Sequence, residues 1–271
     1  MTKILFTDLD GTLLLSTSKI SPSMKEALTA MIAAGHTLVL SSGRPLNSII
    51  SVKEEAGLDF PGIYIIANNG ATIYNCDTKE IIAEKRLALE DVDYLLNAAA
   101  NRNLHMQTYS DTHIISRFET DELKGYHKKI KLPYIVHENP ISQLEKGPFK
   151  ALAIDLDSKS NLEDFKSSLL TYLDNRITAI FSNDRYLEFF SSTAGKGNAL
   201  VELCDILNIP VANSIAAGDA ENDLSMLQAA GTSIAMMNGD HSLKEIADII
   251  TTEDNNHDGL IPVITQYFLN N

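Results

Sequence analysis

Cysteine, basic charge and long apolar runs are all scarce in this chain. Only Cys76 and Cys204 occur, far apart and without a Cys-x-x-Cys or Cys/His spacing. That leaves no basis for a disulfide framework or a zinc site, and both residues read as buried thiols. Lysine and arginine number 22 against 36 aspartates and glutamates, a formal net charge of −14. Such a balance argues against a nucleic-acid partner, whose phosphates reward a basic face. No apolar stretch approaches the roughly 20 residues that a membrane span requires, so no membrane role is expected. Strand-like sequence begins within the first few residues, leaving no room for a basic segment, an apolar segment and a cleavage site of the secretory kind. The chain therefore reads as cytoplasmic. The seven histidines are scattered and never fall at metal-ligand spacing. Neither a tandem repeat nor a low-complexity tract is present.

What is there is an ordinary globular composition, 44% apolar and 21% charged, over 271 residues. That length exceeds the usual single domain and points to two domains, or to one domain carrying a large insertion. Lys3-Ile4-Leu5-Phe6-Thr7 reads as a short buried strand. Ser21-Pro22-Ser23 opens a helix through about Ala34, with Ser23 and Glu26 spaced as a capping box. Thr37–Leu40 is a second strand, Pro45 starts a helix that Gly57 closes, and Ile63–Ala67 is a third strand. Strand and helix alternating in this way is the pattern of a parallel α/β sheet. From roughly Ile81 the rhythm becomes α+β. A helix spans Glu90 to Arg102, strand-like runs cover Leu104–Tyr109, His113–Phe118 and Ala151–Ile154, another helix covers Leu162–Leu173, and short strands follow near Ile177–Phe181 and Tyr186–Phe190. The α/β rhythm returns after Gly195, with a helix from about Asn198 to Leu207 and strands at Ser214–Ala217, Ser233–Met236 and Ile249–Ile250. The simplest organisation is one α/β core, residues 1–81 and 189–271, interrupted by an inserted module over residues 82–188.

In parallel α/β sheets ligands collect at the carboxyl ends of strands, and the polar residues of this chain cluster at such ends. Asp8 and Asp10 follow the first strand two residues apart, so both point to one side, and Gly11 then allows a sharp turn. Two acids in one small volume are costly unless a cation lies between them or one holds a proton, and phosphoryl-transfer chemistry can use both outcomes. A solvated turn is the commoner fate of a lone Asp-x-Asp, but here a buried strand precedes it and Gly-Thr follows. Gly218-Asp219-Ala220-Glu221-Asn222-Asp223 repeats the arrangement at another strand end. Its acids could merely cap the following helix, yet taken with Asp8 and Asp10 they suggest a site of carboxylate oxygens suited to Mg²⁺. Lys196, between two glycines ahead of a helix, can offer a point charge to phosphate, although the glycine spacing is not that of a P-loop. Ser42-Gly43-Arg44 adds a hydroxyl and main-chain N–H groups at the second strand end. Asp155-Leu156-Asp157 imitates the first acidic pair, but Ser158-Lys159 replaces Gly-Thr, and a solvated strand end is the better reading. For the basic run Lys124–Lys129 a solvated helix face is preferred over an anion site.

Taken in order, Asp8-Leu9-Asp10-Gly11-Thr12, Ser42-Gly43-Arg44-Pro45, Lys196-Gly197-Asn198-Ala199-Leu200 and Gly218–Asp223 resemble the four motifs of the haloacid dehalogenase (HAD) superfamily. The likeness spans the chain and is narrower still to the Cof-like phosphatases, whose α/β cap lies between the second and third motifs. Asn69-Gly70-Ala71 and Asn256-His257-Asp258-Gly259 also resemble segments of that group. Serine at 42, where threonine is more usual, keeps the hydroxyl. The resemblance implies an α/β fold, a Rossmann-like parallel-sheet core with an inserted α+β cap that selects the substrate. It also implies an Mg²⁺-dependent phosphatase of small phosphorylated metabolites, sugar phosphates above all. Asp8 would be the nucleophile that forms an aspartyl-phosphate, and Asp10 the general acid and base. Mg²⁺ would sit on the Asp8 carboxylate, the Asp10 carbonyl and Asp219, with Asp223 in support. Leu9, Ser42, Gly43, Lys196 and Asn222 would bind phosphate, with Thr12, Arg44 and Asn69 as candidates for substrate contact or support. A sugar phosphomutase shares these motifs and stays open as an alternative. A non-enzymatic phosphosugar-binding protein on the same scaffold is the third reading, disfavoured because Asp8 and Asp10 are both present. Oligomeric state is left open.

Overall fold

A computed structural model of the chain describes residues 2–270. The chain divides into two compact units, Met1–Glu84 with Ala194–Asn271, and Lys85–Thr193. The first begins with β1 (Ile4–Thr7), α1 (Pro22–Ala33), β2 (Thr37–Ser41), α2 (Leu46–Glu55), β3 (Ile63–Ala67), β4 (Thr72–Asn75) and β5 (Glu80–Glu84). The second follows with α3 (Leu89–Ala100), β6 (His105–Tyr109), β7 (Ile114–Ser116), α4 (Asp121–Ile130), β8 (Tyr134–Val136), β9 (Ala151–Ile154), α5 (Lys159–Leu173), β10 (Ile177–Asn183) and β11 (Tyr186–Ser191). The chain then returns to the first unit with α6 (Lys196–Ile206), β12 (Ser214–Gly218), α7 (Leu224–Ala229), β13 (Thr232–Ala235), α8 (His241–Ile246), β14 (Ile249–Ile250) and α9 (Ile261–Ile264).

The first unit is a sheet ordered β14-β13-β12-β1-β2-β3-β4-β5, parallel from β14 to β3. Its central strands are apolar between their ends, where Thr7, Thr37, Ser41 and Ser214 lie, in keeping with a sheet covered on both faces. Leu5, Leu38, Leu40, Ile63, Ile65 and Ile215 face α1, α2 and α9, packing on Met24, Leu28, Met31, Ile49 and Val263. The alternate residues Ile4, Phe6, Val39, Ile66 and Ala216 face the other side, against Leu200, Leu203, Cys204, Met226 and Leu243. Cys204 is buried there, whereas Cys76 is only half-buried.

One local expectation is corrected. The cap of α1 is Ser21, whose hydroxyl accepts the Met24 N–H at 3.0 Å, and not Ser23. Pro22 has no N–H to lose and occupies the first helical position, so the cap falls one residue ahead of it. The parallel core also continues into β4 and β5, an antiparallel pair at the sheet edge. Neither strand is a continuous apolar run, because β4 is half-buried over Tyr74 and Asn75 and β5 is mostly exposed.

The second unit is a sheet ordered β10-β11-β9-β6-β7-β8. Helices α3 and α5 pack Val92, Leu95, Phe165 and Leu169 against Met106, Ala151, Ala153, Leu187 and Phe189 of one face. Behind the other face lies an ion pair between the Lys150 Nζ and Glu188 Oε2 at 3.0 Å, both side chains about nine-tenths buried. Among the described residues no helix is long and apolar enough to cross a membrane.

Candidate active site

Five of the six parallel strands of the first unit run into a polar turn at one edge of the sheet. Asp8 and Asp10 follow β1, Ser42–Arg44 follow β2, Asn68–Gly70 follow β3, Asp219–Asp223 follow β12, and Asn238–Asp240 follow β13. Strand β1 lies between β12 and β2, so the chain runs outward in both directions from it. That reversal of strand order is where open α/β sheets leave a crevice for ligand.

Asp8, Asp219 and Asp223 each bring a carboxylate oxygen within 4.8 Å of the other two. Lys196 joins them from the first turn of α6, its side chain fully buried. Its Nζ donates to Asp8 Oδ1 at 2.6 Å and to Asp223 Oδ1 at 2.5 Å. The other Asp223 oxygen, Oδ2, accepts the main-chain N–H groups of Asp219 and Ala220 at 3.0 and 3.2 Å. Asp223 therefore sits inside the cluster and also ties its turn together. Asp219 Oδ1 accepts the Thr12 hydroxyl at 2.8 Å, which fastens the turn after β12 to the turn after β1.

Burial, which disfavours charge, pushes the Asp8 carboxyl well above the usual carboxylate range, with Lys196 opposing and Asp223 and Asp219 adding to the rise. Burial also carries Asp219 up to about 6, against the Thr12 hydrogen bond. Lys196 moves the other way from what its burial alone would do. The adjoining Asp223 and Asp8 carboxylates outweigh desolvation and hold its ammonium protonated. With all groups ionised, three carboxylates against one ammonium leave two negative charges in excess. An all-oxygen donor set short of two positive charges fits a hard divalent cation such as Mg²⁺.

Asp10 stands outside this cluster. Its carboxylate takes a two-pronged bond from Arg44, Nε to Oδ2 at 2.7 Å and Nη2 to Oδ1 at 2.5 Å, and its side chain is 55% exposed. Leu9 between the two acids is fully buried. Ser42 Oγ accepts the Arg44 N–H at 3.2 Å, bending the chain after β2. Asn69 bridges two of the expected phosphate-binding segments. Its Oδ1 accepts the Asn222 Nδ2 at 3.2 Å, and its own N–H donates to Ser42 O at 3.1 Å. Gly43 packs so close that a Cβ there would meet Asn69 Oδ1 at 2.8 Å. Asn68, Asn69 and Gly70 all have positive φ, and a Cβ on Gly70 would lie 2.2 Å from Gly195 O. This left-handed turn therefore abuts the peptide that introduces Lys196.

The two decoys behave as solvated structure. Asp155 Oδ1 accepts the N–H groups of Asp157 and Ser158 at 3.0 and 2.8 Å, closing the turn before α5. Lys128 and Lys129 lie exposed in the last turn of α4, where positive charge offsets the helix dipole. The sequence motifs miss the turn after β13. Asp240 N donates to Asp219 O at 2.8 Å, and Asn238 Nδ2 donates to Gly11 O at 2.8 Å. The signal was available, since Asn238-Gly239-Asp240 is one more polar turn at a parallel strand end.

The haloacid dehalogenase-like hydrolase family matches residues 5–264. With that match and this site, the chain belongs to the haloacid dehalogenase-like hydrolases. A solved haloacid dehalogenase-like hydrolase from Bacteroides thetaiotaomicron is 30% identical, with TM-score 0.85, over 99% of this chain and 100% of that one. TM0651 from Thermotoga maritima is 28% identical, with TM-score 0.83, over 98% and 97% of the respective chains. The 5-amino-6-(5-phospho-D-ribitylamino)uracil phosphatase YwtE of Bacillus subtilis (strain 168) is 29% identical over 291 residues, 97% of each chain. Within the family the chain is a Cof-like phosphatase, a hydrolase of phosphoric monoesters.

Proposed function

We propose that this phosphatase requires Mg²⁺, acts in the cytoplasm on small phosphorylated metabolites, chiefly sugar phosphates, and works through a covalent phosphoryl-enzyme on Asp8. A divalent cation bound by Asp8, Asp219 and the Asp10 carbonyl, with Asp223 in support, would offset the charge that otherwise keeps a carboxylate from an anionic phosphoryl group. Lys196, the Leu9 and Gly43 N–H groups, the Ser42 hydroxyl and the Asn222 amide hold the phosphoryl oxygens. An Asp8 oxygen attacks phosphorus, the bond from phosphorus to the leaving oxygen breaks, and Asp10 gives that oxygen its proton. Asp10, now a carboxylate, takes a proton from water, whose oxygen attacks phosphorus. The Asp8–phosphorus bond breaks and inorganic phosphate leaves. Stabilisation is mainly electrostatic and positional, as phosphoryl transfer requires.

The observation that carries this reading is the buried Asp8 carboxylate held 2.6 Å from Lys196 Nζ, in a cluster with Asp219 and Asp223. Support for a polyol-like leaving group comes from the relative YwtE, whose name gives a phosphorylated ribityl chain as its substrate. Residues 85–193 are assigned as the module that selects the leaving group. Purified protein should release phosphate from p-nitrophenyl phosphate only with Mg²⁺, and Asp8→Asn should remove nearly all of that activity. An undiminished variant refutes Asp8 as nucleophile. With hexose phosphates, free phosphate is expected, and accumulation of a positional isomer in its place would make the protein a mutase.

A further inference from the structure

Asn238 lies in none of the four motif segments, yet both ends of its side chain are engaged around the first of them. Its Nδ2 donates to Gly11 O at 2.8 Å, and its Oδ1 accepts the Asn255 N–H at 3.2 Å. Asn255, mostly buried, passes the connection on, its Nδ2 donating to Leu14 O at 2.7 Å. Two amides thus grip the two ends of the turn Gly11–Leu14. Between those ends Thr12 donates its hydroxyl to Asp219 Oδ1 at 2.8 Å.

The turn has little room to drift. Gly11 has φ +85°, and a Cβ on it would fall 2.3 Å from Asp219 Oδ2, so the Gly11 main chain lies directly against that carboxylate. The segment carrying Asn238 also holds Asp219 from behind, through the Asp240 N–H to Asp219 O at 2.8 Å. Segment 238–240 therefore touches both sides of one junction, the Asp219 backbone and the turn after Asp10. Reacting groups displaced by about 1 Å can lose about a hundredfold in rate. A clamp across this junction is where such a displacement would be resisted.

We infer that Asn238, backed by Asn255, is a positioning residue that sets the Gly11–Leu14 turn against Asp219 and so fixes the cation site and the main chain at Asp10. The inference rests on the phosphatase reading above. Asn238 is exposed, so its replacement leaves the core intact. Asn238→Ala is the telling variant, because it loses both bonds and adds no charge, whereas Asn238→Asp would keep the acceptor for Asn255 but set a negative charge against Gly11 O and near the cation site. Binding of Mn²⁺ to the protein without substrate, followed by electron paramagnetic resonance, should weaken about tenfold in Asn238→Ala. With p-nitrophenyl phosphate and Mg²⁺, kcat should fall about 10- to 100-fold, KM should change less than threefold, and Tm should stay within about 2 °C of the parent. Unchanged Mn²⁺ affinity and kcat in Asn238→Ala overturn the inference, as does a loss confined to KM. Should the parent protein fail to hydrolyse the ester, or Asp8→Asn retain activity, the phosphatase mechanism falls while the Mn²⁺ comparison still judges Asn238.

Discussion

Asp8 and Asp10 are two residues apart and meet opposite surroundings. Asp8 is buried against Lys196 among two further carboxylates, whereas the Asp10 side chain is 55% exposed and bound to a single guanidinium. Burial raises Asp8, and positive charge brought to the cluster would favour the carboxylate form that nucleophilic attack needs. Asp10 is held instead by the planar fork of Arg44, a geometry that fixes both carboxylate oxygens at once. Lysine keeps the charge and loses that fork. Arg44→Lys should therefore lower kcat about tenfold with a smaller change in KM, since the carboxylate that the fork aligns is the proposed base for the attacking water, and a misplaced base forfeits part of its 10²- to 10⁴-fold contribution. Steady-state kinetics of the variant check this, and parental kcat would show that the pair does not orient Asp10.

At the scale of elements, the strand ends hold the acidic groups of the candidate site, α6 adds Lys196, and the other helices supply packing. Both were legible where the pattern is local: an apolar run, then acids, then glycine. Strands that are short or little buried carry no such pattern, as in the β4–β5 pair and the three-residue β8. Ser23 and Glu26 have the spacing of a capping box two residues beyond the actual cap, Ser21, and only the position of Pro22 within the first turn separates the alternatives. In the second unit, His105 ties β6 to the cap of α4, its Nδ1 accepting the Thr120 hydroxyl at 2.8 Å while its Nε2 donates to Gln107 Oε1 on the same strand at 3.1 Å. Burial lowers the His105 pKa below its ordinary 6.5, with the Gln107 bond opposing. The unfolded chain then binds a proton more readily than the folded one. This contribution to stability is complete above about pH 6.5 and is lost as pH falls toward the lowered value. Urea unfolding of His105→Gln should show a shallower loss of stability between pH 7 and pH 5 than the parent. An unaltered slope would remove His105 from the account.

For the whole molecule, a net charge of −14 and an anionic substrate are reconciled locally, by one buried lysine and a cluster two positive charges short of neutrality. A cation that binds only the folded state adds stability by mass action, about 2.7 kcal/mol at 100 times its dissociation constant. Calorimetry should therefore find Tm raised by several degrees in Mg²⁺ and restored to the lower value by EDTA. Asp219→Asn should keep the fold and lose most of the shift. A full shift in that variant would place the ion elsewhere.

Acids at strand ends, glycine at the sharp turns and strands apolar on both faces are properties of neighbouring residues. They were decided by the order of amino acids alone, and with them the α/β class and the motif positions. Which groups meet was decided only in three dimensions. Thr12 finds Asp219 across 207 positions of sequence, Lys196 finds Asp8 across 188, and Asn238 finds Gly11 across 227. Those pairings depend on β12 lying beside β1 and β13 beside β12, a strand order that no local pattern encodes. The entry of Asp223 into the cluster and the Asn238–Asn255 clamp follow from the same cause. Both depend on distances between turns that the sheet, and not the neighbouring sequence, brings together.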